Sequence, residues 1–290
     1  MGAIRICDSL YVEDNAYLGS GNFLNEIPSS GACPGNCMYE GELNDVWYRI
    51  MVEEDGFLGF IIDPQSYIDF DWVVYNLTDA RCEDIFSQAE QLQLSCSYSG
   101  IGGFTGPNGL GYKNCANPSD GPFNELIPVF KDEIYVINVS NWSGSQDGYI
   151  LDFSSSTVGV LDTTSPHILK VQNEELHTGD DEIQIKFNEF ILCSTLDAND
   201  FILNGPNNSN YKVEEISGIY CILGAPTERL FTLLLDKPLQ SPGIYKLSIS
   251  QNAAIMDECN NTSNAHHILF TVDLQGKNPG PITGKKTYTE

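Results

Sequence analysis

A chain of 290 residues with 40 acidic groups against 14 basic ones has a formal net charge of −26, which makes nucleic acid and anionic lipid poor partners. Hydrophobic content of 41% with 11% aromatics excludes a disordered chain. The length is enough for two domains with cores of their own. Acidity is uneven: residues 1–161 hold 5 basic and 23 acidic groups, net −18, and residues 162–290 hold 9 and 17, net −8.

Along the chain, helical periodicity is nearly absent. Strand-like runs fall at 46–52, 57–62, 72–77, 133–139 and 149–153, punctuated by Gly, Pro, Asn, Asp and Ser. One short amphipathic helix is predicted at 82–91, and the Gly-rich stretch 98–122 reads as a long loop. A boundary falls at Leu161-Asp162-Thr163-Thr164-Ser165-Pro166. Beyond it, seven short strands are predicted at 168–171, 182–187, 201–203, 211–216, 230–235, 244–250 and 268–272, a spacing that suits an Ig-like sandwich. The fold class is therefore all-β, two β-sandwich domains in series. The first, 1–161, is jelly-roll-like; the second, 162–275, is Ig-like; 276–290 is a linker or tail, with Gly276-Lys277-Asn278-Pro279-Gly280-Pro281 its linker-like start. No apolar run approaches the ~18 residues of a membrane span, so no membrane insertion is expected. Strand-like sequence follows Met1-Gly2-Ala3 directly, without a signal peptide, and the chain reads as a fragment of a larger exported polypeptide.

Nine cysteines point to an oxidising compartment, extracellular or at the cell surface. Cys33-Pro34-Gly35-Asn36-Cys37 lacks the second pair a zinc site needs. Local disulfides Cys33–Cys37 and Cys82–Cys96 are expected, with Cys7 and Cys115 closing a longer loop. In an Ig-like sandwich the second and sixth strands end at one pole, which favours Cys193–Cys259, with Cys193–Cys221 the rival. The odd count leaves one thiol over in the second half.

Several motifs carry a resemblance. They include Tyr17-Leu18-Gly19-Ser20-Gly21-Asn22, Asn44-Asp45-Val46-Trp47-Tyr48, Asp71-Trp72-Val73-Val74-Tyr75-Asn76-Leu77, Phe123-Asn124-Glu125-Leu126-Ile127-Pro128-Val129 and Tyr135-Val136-Ile137-Asn138-Val139-Ser140-Asn141-Trp142-Ser143. In them the first half resembles the jelly-roll domains of secreted Bacteroidetes proteins associated with gliding motility and type IX secretion, similar in shape to pre-peptidase C-terminal domains. The second half resembles bacterial Ig-like modules of surface-layer and adhesin proteins, on Ile185-Lys186-Phe187-Asn188-Glu189-Phe190-Ile191 and Met256-Asp257-Glu258-Cys259-Asn260-Asn261. Export and an adhesive or structural role are what the resemblance implies.

For chemistry, Asp69 and Asp71 project to one face of a strand while Phe70, Trp72 and Val74 project to the other. Two carboxylates so placed invite a cation. Ca²⁺ takes six to eight oxygens, and Asp45 and Asp63, with Asn44 and Asp152, are candidates to complete a set. The competing reading is Asp side chains capping turns. The Asp162-Thr163-Thr164 linker is a weaker cation candidate. Trp47 and Trp72 read as core, whereas Trp142, among Asn141, Ser143 and Gly144, is the candidate ligand platform. The four histidines are too scattered to form a site by spacing. No zinc-protease motif, nucleophile elbow or phosphate loop occurs, and no carboxylate pair is singled out for glycoside hydrolysis. A non-catalytic module is the expectation. Its partner would be a surface glycan or another protein, or it would be a carbohydrate-binding module of a polysaccharide-utilisation system.

Overall fold

The aromatic runs around Trp47 and Trp72 lie two strands apart in one six-stranded sheet of the computed structural model. The structure describes residues 2–19, 27–28, 37–38, 44–160, 162–173 and 175–274. Cys33, Leu161 and the 276–281 segment lie outside them. The chain divides into two units, Met1–Thr163 and Thr164–Glu290, each of which is a β-sandwich-type structure.

The first unit begins with β1 (Ile4–Arg5), β2 (Leu10–Asn15), β3 (Asp45–Met51), β4 (Gly56–Leu58), β5 (Ile61–Pro64) and β6 (Phe70–Asn76). It continues with α1 (Asp84–Leu92), β7 (Gln93–Ser97), β8 (Gly106–Pro107), β9 (Cys115–Ala116), β10 (Phe123–Asn124), β11 (Ile127–Val129), β12 (Ile134–Asn141) and β13 (Asp147–Asp152). The large sheet has the order β1-β3-β12-β6-β7-β9, and a three-stranded sheet the order β2-β13-β5. Because β12 pairs with both β3 and β6, Tyr48, Ile137 and Val74 form one cross-strand row, and Trp47, Asn138 and Val73 the next.

The first row faces a core shared with the three-stranded sheet, filled by Tyr48, Phe60, Trp72, Tyr149 and Phe153. The hydroxyls of Tyr48 and Tyr149 meet 2.6 Å apart across it. The Trp72 indole N–H donates to Thr105 Oγ1 at 3.0 Å, so Tyr48, Tyr149 and Trp72 keep their buried polar atoms satisfied. The second row faces a smaller core in which Val73, Tyr75 and Val136 meet Ile85 and Ala89 of α1, with Ile27, Cys37, Met38, Cys96 and Cys115. Ile85 and Ala89 stand one helical turn apart and form the buried stripe of α1. The large sheet is thus covered on both faces. That is why β6 and β12 are buried nearly end to end and read as continuous runs. Gly106, with φ +146°, leaves no room for a Cβ beside the Phe60 carbonyl where the 98–122 loop crosses the sandwich.

The second unit contains β14 (Ile168–Val171), β15 (Glu182–Leu192), β16 (Phe201–Asn204), β17 (Asn210–Ser217), α2 (Ile219–Ile222), β18 (Thr227–Leu235), β19 (Gly243–Ile249) and β20 (His267–Val272). Alternate residues of β15, β18 and β19 (Ile183, Ile185, Phe187; Phe231, Leu233, Leu235; Tyr245, Leu247, Ile249) line a single core. In place of the two separate sheets expected, the strands form one continuous sheet, β14-β15-β18-β17-β16-β19-β20. The β16–β17 hairpin, with Leu203 opposite Tyr211, joins the halves, and the edge strands β14 and β20 come together to nearly close a barrel. The strand predicted to end at 187 runs on to Leu192 through a register shift against β18 between Lys186 and Ile191.

Candidate functional site

β6 begins at Phe70, so Asp69 ends the preceding loop and Asp71 is the second residue of the strand. Asp71 lies opposite Ser140, which lies opposite Asp45 on β3, a polar row crossing three strands on the face of the smaller core. Asp71 is buried. Burial, and then the neighbouring Asp69 charge, push it up to about 8. Burial also raises Asp69, whose Oδ1 is closed off from solvent without a partner among the described residues.

The four carboxylates expected to share a cation do not converge. Asp45 accepts a hydrogen bond from the Asn138 side-chain amide. Asp63 lies on β5 opposite Ile150 in the three-stranded sheet, next to Ile62, which points into the main core. By strand alternation Asp63 therefore faces outward from the opposite side of the sandwich. Among the described residues, no group of three potential ligands within 4.8 Å of one another includes Asp69, Asp71, Asp45 or Asp63. Burial and the like charge of Asp69 both favour the protonated form of Asp71. Asp162, the linker candidate, is buried and takes its positive charge from the Arg5 guanidinium at 2.9 Å.

Trp142 leaves the end of β12, 45% exposed, and its backbone N–H donates to the Asp69 carbonyl at 3.1 Å. Two residues upstream of Asp69, Tyr67 is 83% exposed, its ring resting on the Gly102–Gly103 backbone. The fold therefore brings a second aromatic to the end of the sheet where Trp142 sits. Tyr67 belongs to no periodic pattern, and its position depends on the distant Gly102–Gly103 segment.

The cysteine pairings differ from the local loops expected. Cys37 bonds to Cys96, not to Cys33, and Cys96 is not joined to Cys82. The reason is the second core: β7 places Cys96 opposite Val73 on the covered face of the sheet, where Cys37 also lies. Cys115, brought alongside by the parallel β7–β9 pairing, has its sulfur 3.4 Å from that of Cys96. Cys7 and Cys115 are each engaged in a disulfide as well. The sulfurs of Cys37, Cys96 and Cys115 form a close group, but all are in disulfides and present no thiolate for a metal. In the second unit Cys193 bonds to Cys221, not to Cys259. The start of β18 pairs with the end of β15 (Leu192 with Thr227), so the α2 turn just before β18 carries Cys221 to Cys193. Cys259 is itself disulfide-bonded, so the second half does not hold the leftover thiol expected there.

Two groupings in the second unit escaped the sequence. Glu189 sits where β15 loses register with β18, and Asp257 makes an isolated bridge with Ile191. Both are buried, and an oxygen of each lies within 4.8 Å of the other. Glu189 accepts from Asn188 Nδ2 at 2.8 Å. Asp257 accepts from the backbone N–H groups of Cys259 and Asn261 and from Asn261 Nδ2. His167 and His266 stack with ring centroids 5.0 Å apart. Burial lowers His266, helped by His167 and His267.

These features define the class: a disulfide-bonded, predominantly β-strand chain of two β-sandwich-type units. No protein family matches it, and no curated protein does, so no family match carries the resemblance to gliding-motility and type IX secretion-associated domains. Among solved structures, it is similar to the adhesin domain of Epf from Streptococcus pyogenes, with 11% identity and a TM-score of 0.24 over 80% of this chain and 72% of that one. It is also similar to the tail fiber protein gp63.1 from E. coli phage G7C, with 9% identity and a TM-score of 0.27. There it covers 93% of this chain but only 41% of that one. Neither likeness is close enough to define a shared fold. No helix among the described residues is long and apolar enough to cross a membrane.

Proposed function

We propose that the chain is a non-catalytic pair of β-sandwich-type modules, adhesive or structural in role, from a larger secreted or surface-displayed protein. The observation that carries this reading is the Cys37–Cys96 disulfide. It joins residues 59 apart, and both cysteines are fully buried in the second core. A cross-link built into a core persists only where the surroundings are oxidising. The acidic surface and the sequence resemblance to jelly-roll and Ig-like modules of gliding-motility and type IX secretion-associated proteins point the same way. In the second unit, β14-β15-β18-β17 and β16-β19-β20 follow the A-B-E-D and C-F-G orders of an Ig-like sandwich.

One observation favours a second reading, a carbohydrate-binding module: Tyr67 and Trp142 are exposed at the same end of one sheet. Affinity electrophoresis against a panel of polysaccharides, run beside a broad hydrolase screen, separates the readings. A spacer shows neither retardation nor turnover. Retardation by a defined polysaccharide, lost at least tenfold in Trp142→Ala with Tyr67→Ala, replaces the spacer reading with the glycan-binding one. Detectable turnover contradicts both.

Calcium stabilisation belongs to the same proposal. It attaches to Glu189 and Asp257, two buried carboxylates with an oxygen of each within 4.8 Å of the other, the hard oxygen donors that calcium takes. With calcium at about a hundred times its Kd, chelator is expected to lower the melting temperature of the second unit by at least about 5 °C. Unchanged melting on chelation contradicts calcium binding.

A further inference from the structure

The α2 turn presents four large apolar side chains to solvent: Ile219 (69% exposed), Tyr220 (57%), Ile222 (74%) and Leu223 (75%). Ile219, Ile222 and Leu223 stand at i, i+3 and i+4 on one side of the turn, and Tyr220 flanks them. Core-forming side chains are not normally held out in water together, yet this turn is firmly fixed. The Cys193–Cys221 disulfide anchors its middle, and Cys221 packs partly against the core. The buried Glu228 carboxylate accepts from the N–H groups of Tyr220 (2.9 Å) and Cys221 (3.2 Å). Gly218 has no space for a side chain beside Glu228, and Gly224, at φ +92°, closes the turn as Ala225 N–H returns to the Tyr220 carbonyl. The apolar side chains are thus held outward by a disulfide, a buried acid and two glycines.

We propose that this turn is a peripheral lipid contact, dipping Ile219, Ile222 and Leu223 into the acyl boundary of a neutral, zwitterionic bilayer, with Tyr220 at headgroup level. Charge and area select this occupant. Residues 216–227 carry no charge in a chain of net charge −26, so an anionic surface repels the chain while a zwitterionic one costs it little. The four side chains expose roughly 500 Å² of apolar surface, short of the roughly 800 Å² a side of a stable protein interface. A second copy is further opposed by the repulsion of two strongly acidic chains. A fluid interface sets no minimum matched area, and an aromatic hydroxyl suits its polar boundary.

The test is flotation of the whole chain with phosphatidylcholine vesicles, and with vesicles containing 30% phosphatidylserine. The control is Ile222→Asp with Leu223→Asp, both exposed positions, with folding checked by thermal melting. The expected result is co-flotation with phosphatidylcholine, a smaller floated fraction when phosphatidylserine is present, and at least a tenfold loss in the double variant at unchanged melting temperature. In Leu223→Trp, tryptophan fluorescence should shift to the blue on adding phosphatidylcholine. The proposal is overturned if the chain stays in the aqueous fraction, if the double variant floats as well as the parent, or if only anionic vesicles bind. A concentration-dependent dimer seen by light scattering, abolished by the same double variant and without flotation, also overturns it and gives the face to a second copy.

Discussion

Replacing Cys37 and Cys96 together by alanine is expected to lower the melting temperature of the first unit by about 10 °C. The disulfide closes a loop between residues 59 apart, and in the chain-entropy account a loop of that length contributes roughly 4 kcal/mol by restricting the unfolded chain. For a unit of this size, each kcal/mol moves the midpoint by about 2–4 °C. Both residues are fully buried, so the double alanine variant leaves neither a stranded thiol nor a buried hydroxyl. Calorimetry reads the shift. Denaturant unfolding adds a second signature, because a chain freed of its cross-link exposes more surface and steepens the transition. A melting temperature within about 2 °C of the parent contradicts a structural role for this bond.

Asp71→Asn is expected to stabilise the protein above neutral pH and to leave it unchanged near pH 4. Burial, with Asp69 beside it, raises the Asp71 carboxyl from 3.8 to about 8 in the folded chain. The folded state therefore keeps a proton that the unfolded state releases, and stability present below about pH 4 is lost as pH rises through about 8. Asparagine has the same shape and no charge to desolvate, so it removes that loss. The full shift would amount to several kcal/mol; allowing for relaxation around the ionised group, a gain of about 3 kcal/mol at pH 8 is expected. Denaturant titrations of both proteins at pH 4, 6 and 8 test this, with the two curves diverging as pH rises. A variant less stable than the parent at pH 8 shows that a bound cation or an unrecognised donor holds the Asp71 carboxylate ionised.

The strand pattern was readable because apolar periodicity and turn residues act locally. The predicted 168–171 strand is β14, and most others fall within two or three residues of the observed bounds. The same alternation correctly set Asp71 on the face opposite Trp72. What covers that face was not readable, since α1, Ile27, Cys37 and Met38 reach it from distant parts of the chain. An expected solvent-facing or cation-binding acid is consequently a buried one. The cysteine pairings failed for the same reason. Closeness in sequence favours Cys33–Cys37 and Cys82–Cys96, whereas β7 carries Cys96 onto the covered face and the α2 turn delivers Cys221 to Cys193. The Glu189–Asp257 pair depends on a register shift in β15, and a bulge leaves no mark in hydrophobic periodicity. Tyr67 and the α2 turn went unseen because an exposed apolar side chain looks, in sequence, like one more core residue.

The proposed module pair is one whose disulfides form outside the cell. Peptide mapping by mass spectrometry, without reduction, of the protein taken from its native source under thiol-blocking conditions tests it most directly. Linked peptides joining Cys37 to Cys96 and Cys193 to Cys221 are the expected result. Alkylated, unlinked peptides at those four cysteines would place the protein in a reducing compartment and contradict the account.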